Sequence, residues 1–352
     1  MIELERSVLA GLEGESPFLE VHDALRSAIE LEHATIPLYL YALFSLREGE
    51  NREIATVLRS VVVEEMLHMV LLANVSNALG ARPRLFTPSF VPRYPGRLPG
   101  GIEKQLTVHL RAFSLEQLRV FIDLEEPRNP LSLRAGAVDD EPTTTIGEFY
   151  AAITAAIAAL GDGALADEPR RQVGPDLMGG AIVVRDVATA LDALDTIVEK
   201  GEGTGTSPEE VDGPSGANDV AHFYRLCQIR EGRTLVRAAD ATYAFAVAAI
   251  PFELNGVLAL PDDLRARDYQ TGSAERRAMD AVNPTYTSLL AQLDDLVNGH
   301  ADAASFPRTL TLMAPLESQV RAMANGTAVP GRVLRPSFEY QPVRPRDNVD
   351  HA

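Results

Sequence analysis

Residues 61–73 read VVVEEMLHMVLLA and place Glu65 and His68 three positions apart inside a strongly apolar helical run. On a helix that spacing puts both side chains on one face, about one turn apart. The stripe formed by Ile54, Leu58, Val61 and Leu72 passes through the same two positions. A carboxylate and an imidazole on a buried stripe are costly unless something pairs them, and a metal ion suits both. One Glu-x-x-His alone is a weak signal, because helix positions three apart often hold satisfied polar pairs. The rest of the chain decides its weight.

A second helix precedes it, over about 21–46, with Leu25, Ile29, Ile36 and Leu40 on its apolar face and Glu32 and Tyr39 on the same face. Glu30 falls off that face, which leaves Glu32 as the interior acid. Pro37 cannot donate to the carbonyl of His33 and should kink or bulge this helix. A polar turn at 47–51 leads into the helix over 52–79, which Gly80 ends. A short turn between long helices gives an antiparallel pair. Glu32 lies 17 residues before the turn centre at 49 and Glu65 lies 16 after it, so the two carboxylates meet at one height.

The pattern recurs later. A helix over about 186–201 runs toward Glu199 and Glu202. After a loop at 204–217, a helix beginning near Asn218 carries Asp219-x-x-His222 with Leu226 and Ile229. In an antiparallel pair those ends are adjacent. The chain thus offers two hairpins, each with one carboxylate on its first helix and an acid-x-x-His pair on its second. This is the ligand arrangement of carboxylate-bridged dinuclear four-helix bundles. Four carboxylates neutralise two divalent cations and one His caps each. Mixed O/N ligation suits iron or manganese.

The remaining segments read as follows. Residues 81–114 form a crossover with a strand-like run at Gln105–Leu110. Ser114 caps a helix to Leu124, and Glu125 and Glu126 after it are solvated. Thr145 and Glu148 have capping-box spacing before a helix over 146–160. Residues 182–184 read as a short strand. Pro284–Asn298 and Leu310–Ala324 are further helices, with Asn283 as N-cap of the first and Pro315 an alternative start for the second. The Pro-rich tail wraps the surface. His22, His33, His109, His300 and His351 show no spacing that commits them to chemistry. The expected fold class is all-α in the main, a four-helix bundle with a long crossover and additional C-terminal helices. The expected division is a metal-binding bundle over 1–235, including the crossover 81–185, and a helical extension over 236–352 packed on it.

A net charge of −18, from 50 acidic against 32 basic residues, argues against nucleic-acid and anionic-membrane partners, which need basic patches. Cys227 is the single cysteine, so neither an intramolecular disulfide nor a Cys-rich zinc site is available. The first residues lack a basic then apolar leader pattern, and no run of eighteen apolar residues occurs. The expectation is a cytoplasmic protein.

The stretches AIELEHATIPLYLY (28–41), VEEMLHMVLLANVSN (63–77), IVEKGEGT (197–204), HFYRLCQI (222–229) and PSFEY (336–340) resemble the ferritin-like domain family that includes the iminophenylpyruvate dimer synthase domain of violacein- and rebeccamycin-type pathways. Glu32 with Tyr39 seven residues on also resembles the first-helix pattern of ferritins. The resemblance implies metal ligands at Glu32, Glu65, His68, Asp219 and His222, with a sixth at Glu199 or Glu202. Helical phase puts Glu202 nearer the apolar stripe, while Glu199 is more surely helical. Asp219 replaces the usual Glu, and the large N-terminal region of the dimer synthases is not in this sequence.

The reaction class this implies is an O2- or peroxide-using non-haem di-iron oxidase or oxygenase, with manganese as the other metal. It would act on a small, amino-acid-derived molecule in specialised metabolism. Tyr39 beside the site would donate a hydrogen bond or an electron, and Arg225 would orient a substrate carboxylate. The expected partners are the small-molecule substrate and O2, without nucleic acid or membrane, and a homodimer is the assembly considered. The competing classes are a ferritin-like storage protein, against which the crossover and C-terminal extension count, and a non-catalytic scaffold, for which Asp219 counts.

Overall fold

The computed structural model describes residues 17–99, 107–127, 146–165, 171–201, 203, 207–208, 220–238, 242–300, 302 and 304–342. Glu202, Asp219, Thr145, His351 and the side chain of Glu148 lie outside the described residues.

Helices α1 (Pro17–Ser45) and α2 (Arg52–Ala78) form the long antiparallel pair. Both are apolar over most of their circumference because neighbours cover them on several sides. The turn between them is held by Asn51, at φ 47°, a conformation Asn tolerates better than most residues. Its side chain donates to Glu253 O at 3.0 Å and accepts from Glu253 N at 2.8 Å. The helix continues through Pro37. Around it, Thr35 Oγ donates to Glu32 O and Tyr94 OH donates to Ala34 O.

Helices α4 (Ile146–Leu160) and α5 (Val187–Gly201) complete the bundle, with α4 packed on α1 and on α5, and α5 packed on α2. Two shorter helices, α3 (Leu115–Leu124) and α6 (His222–Glu231), pack on each other and carry the site from the side, with α6 also against α2. The second pair of the bundle is therefore α4 with α5, not the 186–201 helix with the helix from 218 that the repeat suggests. Helix α6 starts at His222, with Ala221 in a non-helical cap conformation.

Several other expectations change. Residues 182–184 form no strand; instead Ile182 O accepts from Asn74 Nδ2 at 2.8 Å. Of the 105–110 run, the described residues 107–110 contribute one isolated bridge, Val108 to Gly96. A hairpin of β1 (Arg233–Arg237) and β2 (Tyr243–Ala249) follows α6, antiparallel, pairing Leu235 with Phe245. Pro284 lies inside a longer helix, α7 (Ala274–Val297), capped by Ser273 rather than Asn283. Residues 310–324 divide between α8 (Ser305–Thr311) and α9 (Met313–Ala324), which puts Pro315 in the first turn of α9. The tail enters the core: Leu334, Arg335, Ser337 and Phe338 are buried. Among the described residues no helix is long and apolar enough to cross a membrane.

The crossover is tied to α2 through buried Asn74. It donates to Val173 O and Ile182 O, both at 2.8 Å, and accepts from Val173 N at 2.9 Å. Alanine there orphans three backbone groups, two of them buried. Because one such group costs ~1–3 kcal/mol, Asn74→Ala is expected to cost about 3 kcal/mol, read as a shifted denaturation midpoint. Cys227 on α6 is buried, and that burial pushes its thiol up to about 11. Thiols react as thiolates. Cys227 is therefore expected to resist a disulfide exchange reagent at about pH 8 in the folded protein and to react on unfolding. Prompt labelling of the native protein would show that α6 opens.

Candidate metal centre

Two ligand clusters meet in the core. Glu32 from α1 and Glu65 and His68 from α2 form the first, and Glu65, Glu125 and His222 form the second, with ligand atoms within 4.8 Å of one another in each. Glu65 belongs to both. Its Oε2 lies 3.8 Å from His68 Nδ1 and its Oε1 lies 3.2 Å from His222 Nδ1. His222 Nδ1 is also 3.6 Å from Glu125 Oε2, and His68 Nδ1 is 3.3 Å from Glu32 Oε2. The two imidazoles lie 5.4 Å apart between centroids.

The outer carboxylates are held by tyrosines. Tyr150 on α4 donates to Glu32 Oε1, and Tyr39 on α1 donates to Glu125 Oε1. The Tyr39 ring also packs edge-on against Phe121 at 4.7 Å, so it is both a core aromatic and a partner of the site. Glu64, the neighbour of Glu65, reaches the other side of His222. Its Oε2 is 2.9 Å from His222 Nε2, and its Oε1 accepts from Arg225 Nη1 at 2.9 Å. Arg225 also donates to Ser60 Oγ and to Val220 O. That guanidinium is committed inside the core, which removes it from the substrate-orienting role the sequence suggested. With Nε2 facing Glu64, Nδ1 of His222 is turned toward Glu65 and Glu125. A ligating imidazole is commonly fixed this way.

The electrostatics ask for cations. Burial, then the charges of Glu32 and Glu125, push the Glu65 carboxyl up. Burial opposes protonation of His68, yet hydrogen bonding to Glu32 and Glu65 outweighs it and raises the imidazole. For His222 the surrounding carboxylates of Glu125, Glu64 and Glu65 likewise outweigh burial. Crowded carboxylates and two imidazoles in one buried cluster favour a bound positive charge. Buried Glu65 Oε2, His68 Nε2 and His222 Nδ1 make no hydrogen bond, and this O/N donor set fits iron or manganese.

A cavity of about 40 Å³ adjoins Glu32, Glu65, His68 and Glu125, walled by Leu31, Leu124, Ile197 and Val198. Helix α5 supplies Ile197, Val198 and its final Gly201 to this lining, but no ligand among the described residues. Glu199 is only partly buried and belongs to neither cluster.

Glu125, expected in solvent, has a side chain only 10% exposed. The signal was its phase: it follows Leu118 by seven residues and Phe121 by four, on the buried face of α3. Tyr150 shares a buried stripe with Ile153 and Ile157, a pattern that does not separate a core tyrosine from one that holds a ligand.

A bundle carrying shared carboxylate–histidine clusters defines a class, and a family model places the chain in it. The ferritin-like model matches residues 25–231, and the chain belongs to the ferritin-like family. Among curated proteins it is similar to dichlorochromopyrrolate synthase of Lentzea aerocolonigenes, 24% identical over 374 residues. That match covers 90% of this chain and 35% of the relative, so the chain spans about a third of the relative's length. Among solved structures it is similar to a ferritin-like protein from Caulobacter vibrioides, with a TM-score of 0.57, 21% identity, and 90% and 97% of the two chains covered.

Proposed function

We propose that the chain is a dinuclear non-haem metal oxidoreductase, with iron as the resident metal and manganese the alternative. It uses O2 or peroxide on a small, amino-acid-derived molecule in specialised metabolism. The observation that carries this reading is the pair of buried clusters sharing Glu65. The natural-product enzyme among its relatives supports the choice of an enzyme over a scaffold.

Glu32, Glu65 and His68 would hold one ion, and Glu65, Glu125 and His222 the other. Bound there, two redox-active ions would supply electrons to O2 or peroxide. The protein's own work is positioning and exclusion. Tyr150 and Tyr39 orient the outer carboxylates, Glu64 and Arg225 fix the tautomer of His222, and Leu31, Leu124, Ile197 and Val198 keep bulk water out. A cavity of about 40 Å³ holds a water-sized molecule rather than an organic substrate, since one water needs about 10–15 Å³ by this measure. An organic substrate would therefore lie outside this cavity.

Anaerobic Fe(II) titration of the metal-free protein tests this. About two ions per chain, followed on admitting air by O2 consumption and a ferric absorption band, is the expected result. Hundreds of ions per assembly would mean storage instead, and no binding at any iron load would leave a scaffold.

A further inference from the structure

The PSFEY run has no part in the metal centre, and its place in the fold is unusual. Phe338 holds φ 49°, a left-handed conformation a bulky residue rarely adopts. Its ring is buried edge-on against Tyr286 at 5.2 Å. This turn sets Ser337, Glu339 and Tyr340 along a cleft of about 330 Å³ whose other walls include Arg93, Tyr94, Arg265 and Arg267. No residue lining this cleft also lines the metal cavity.

The cleft's charge runs against the rest of the chain. In a protein of net charge −18, this cleft is lined by three arginines and one carboxylate, Glu339. Among the described residues none of the three makes an ion pair. Arg265 Nε donates to Tyr94 O at 3.0 Å, and the guanidiniums of Arg93 and Arg267 have no hydrogen-bond partner. Glu339 is occupied with the wall: its Oε2 accepts from Ala266 N at 2.8 Å and from Ser337 Oγ at 2.6 Å. Three like charges in one concavity repel unless an anion is shared between them, and a concave basic site concentrates anions. Guanidinium forks match the oxygens of carboxylates and phosphates. Tyr94 and Tyr340 also line the cleft, and the volume lies at the lower end of small-molecule pockets, roughly 300–1,000 Å³.

The geometry points to a binding site for a small aromatic oxyanion, a carboxylate or a phosphate monoester, in this cleft and separate from the metal centre. Calorimetric titration of the full chain at physiological salt, with benzoate and phenyl phosphate as probes and benzyl alcohol as the uncharged control, tests it. One saturable site per chain is expected for at least one anion and none for the alcohol. The tighter probe identifies the headgroup. Arg93→Gln with Arg267→Gln, both at exposed positions, should weaken binding at least tenfold without moving the melting temperature. Glu65→Ala should leave it unchanged. The proposal falls if neither anion saturates, if the arginine variant binds as well as the parent, or if Glu65→Ala abolishes binding. Inorganic phosphate binding as tightly as phenyl phosphate would overturn the aromatic part.

Discussion

Glu65→Ala is expected to abolish metal binding at both positions, taking Fe(II) uptake from about two ions per chain to none. Each other ligand belongs to one cluster, but Glu65 belongs to both and faces a different histidine with each oxygen. Without it Glu32 with His68, and Glu125 with His222, are left as two-donor fragments. The same substitution separates loss of ligation from loss of fold. In the metal-free protein Glu65 is a buried acid crowded by Glu32 and Glu125. Removing it relieves that repulsion, so the metal-free variant should melt at or above the metal-free parent. Metal that binds only the folded state stabilises it in proportion to saturation. Added Fe(II) should therefore raise the melting temperature of the parent and leave the variant where it was. Two ions bound in the variant would remove Glu65 from the bridging position; a large drop in its metal-free melting temperature would make it a structural residue.

The first hairpin was legible because its information is local. An apolar stripe with a 3.6-residue period, a short polar turn and a terminal glycine place α1 and α2 within a few residues of their observed ends, and equal distances from the turn bring Glu32 level with Glu65. The second half is less legible, because the apparent repeat does not mark the bundle's other pair. The bundle's other pair is α4 and α5, which among the described residues bring Tyr150, Ile197, Val198 and Gly201 to the site rather than an acid or a histidine. Spacing rules for helices also fail at a helix start: α6 begins at His222, so a motif that spans its boundary carries no phase. Pro284 misled for the opposite reason. It reads as a first helical position, yet α7 packs on α9 and on the bundle, and burial of Val282, Tyr286 and Leu290 carries the helix past the missing hydrogen bond. Glu64 could not have been told from a surface acid by sequence, because its partners, His222 and Arg225, lie more than 150 residues away.

Glu125→Ala is expected to halve occupancy, from about two Fe(II) per chain to about one, while Glu199→Ala leaves it at two. Glu125 is the carboxylate of the second cluster that the first does not share. It is fixed by Tyr39 and sits at the end of α3, where the backbone N–H closes onto Phe121 O at 3.2 Å. The first cluster keeps Glu32, Glu65 and His68 intact in this variant, so one ion should bind with nearly its original affinity. Glu125→Gln keeps a carbonyl oxygen for the Tyr39 hydroxyl and should restore packing without restoring the second ion, which distinguishes ligation from local collapse. Glu202→Ala completes the comparison, since helical phase favoured that acid. If Glu125→Ala retains two ions and a change at Glu199 or Glu202 loses one, the second ion is held by the end of α5 after all, and Glu125 serves only to anchor Tyr39. Loss of the second ion in Glu125→Ala alone would mean that the two halves of the centre are unlike. One is built on the long antiparallel pair; the other comes from two short helices that approach it from the side.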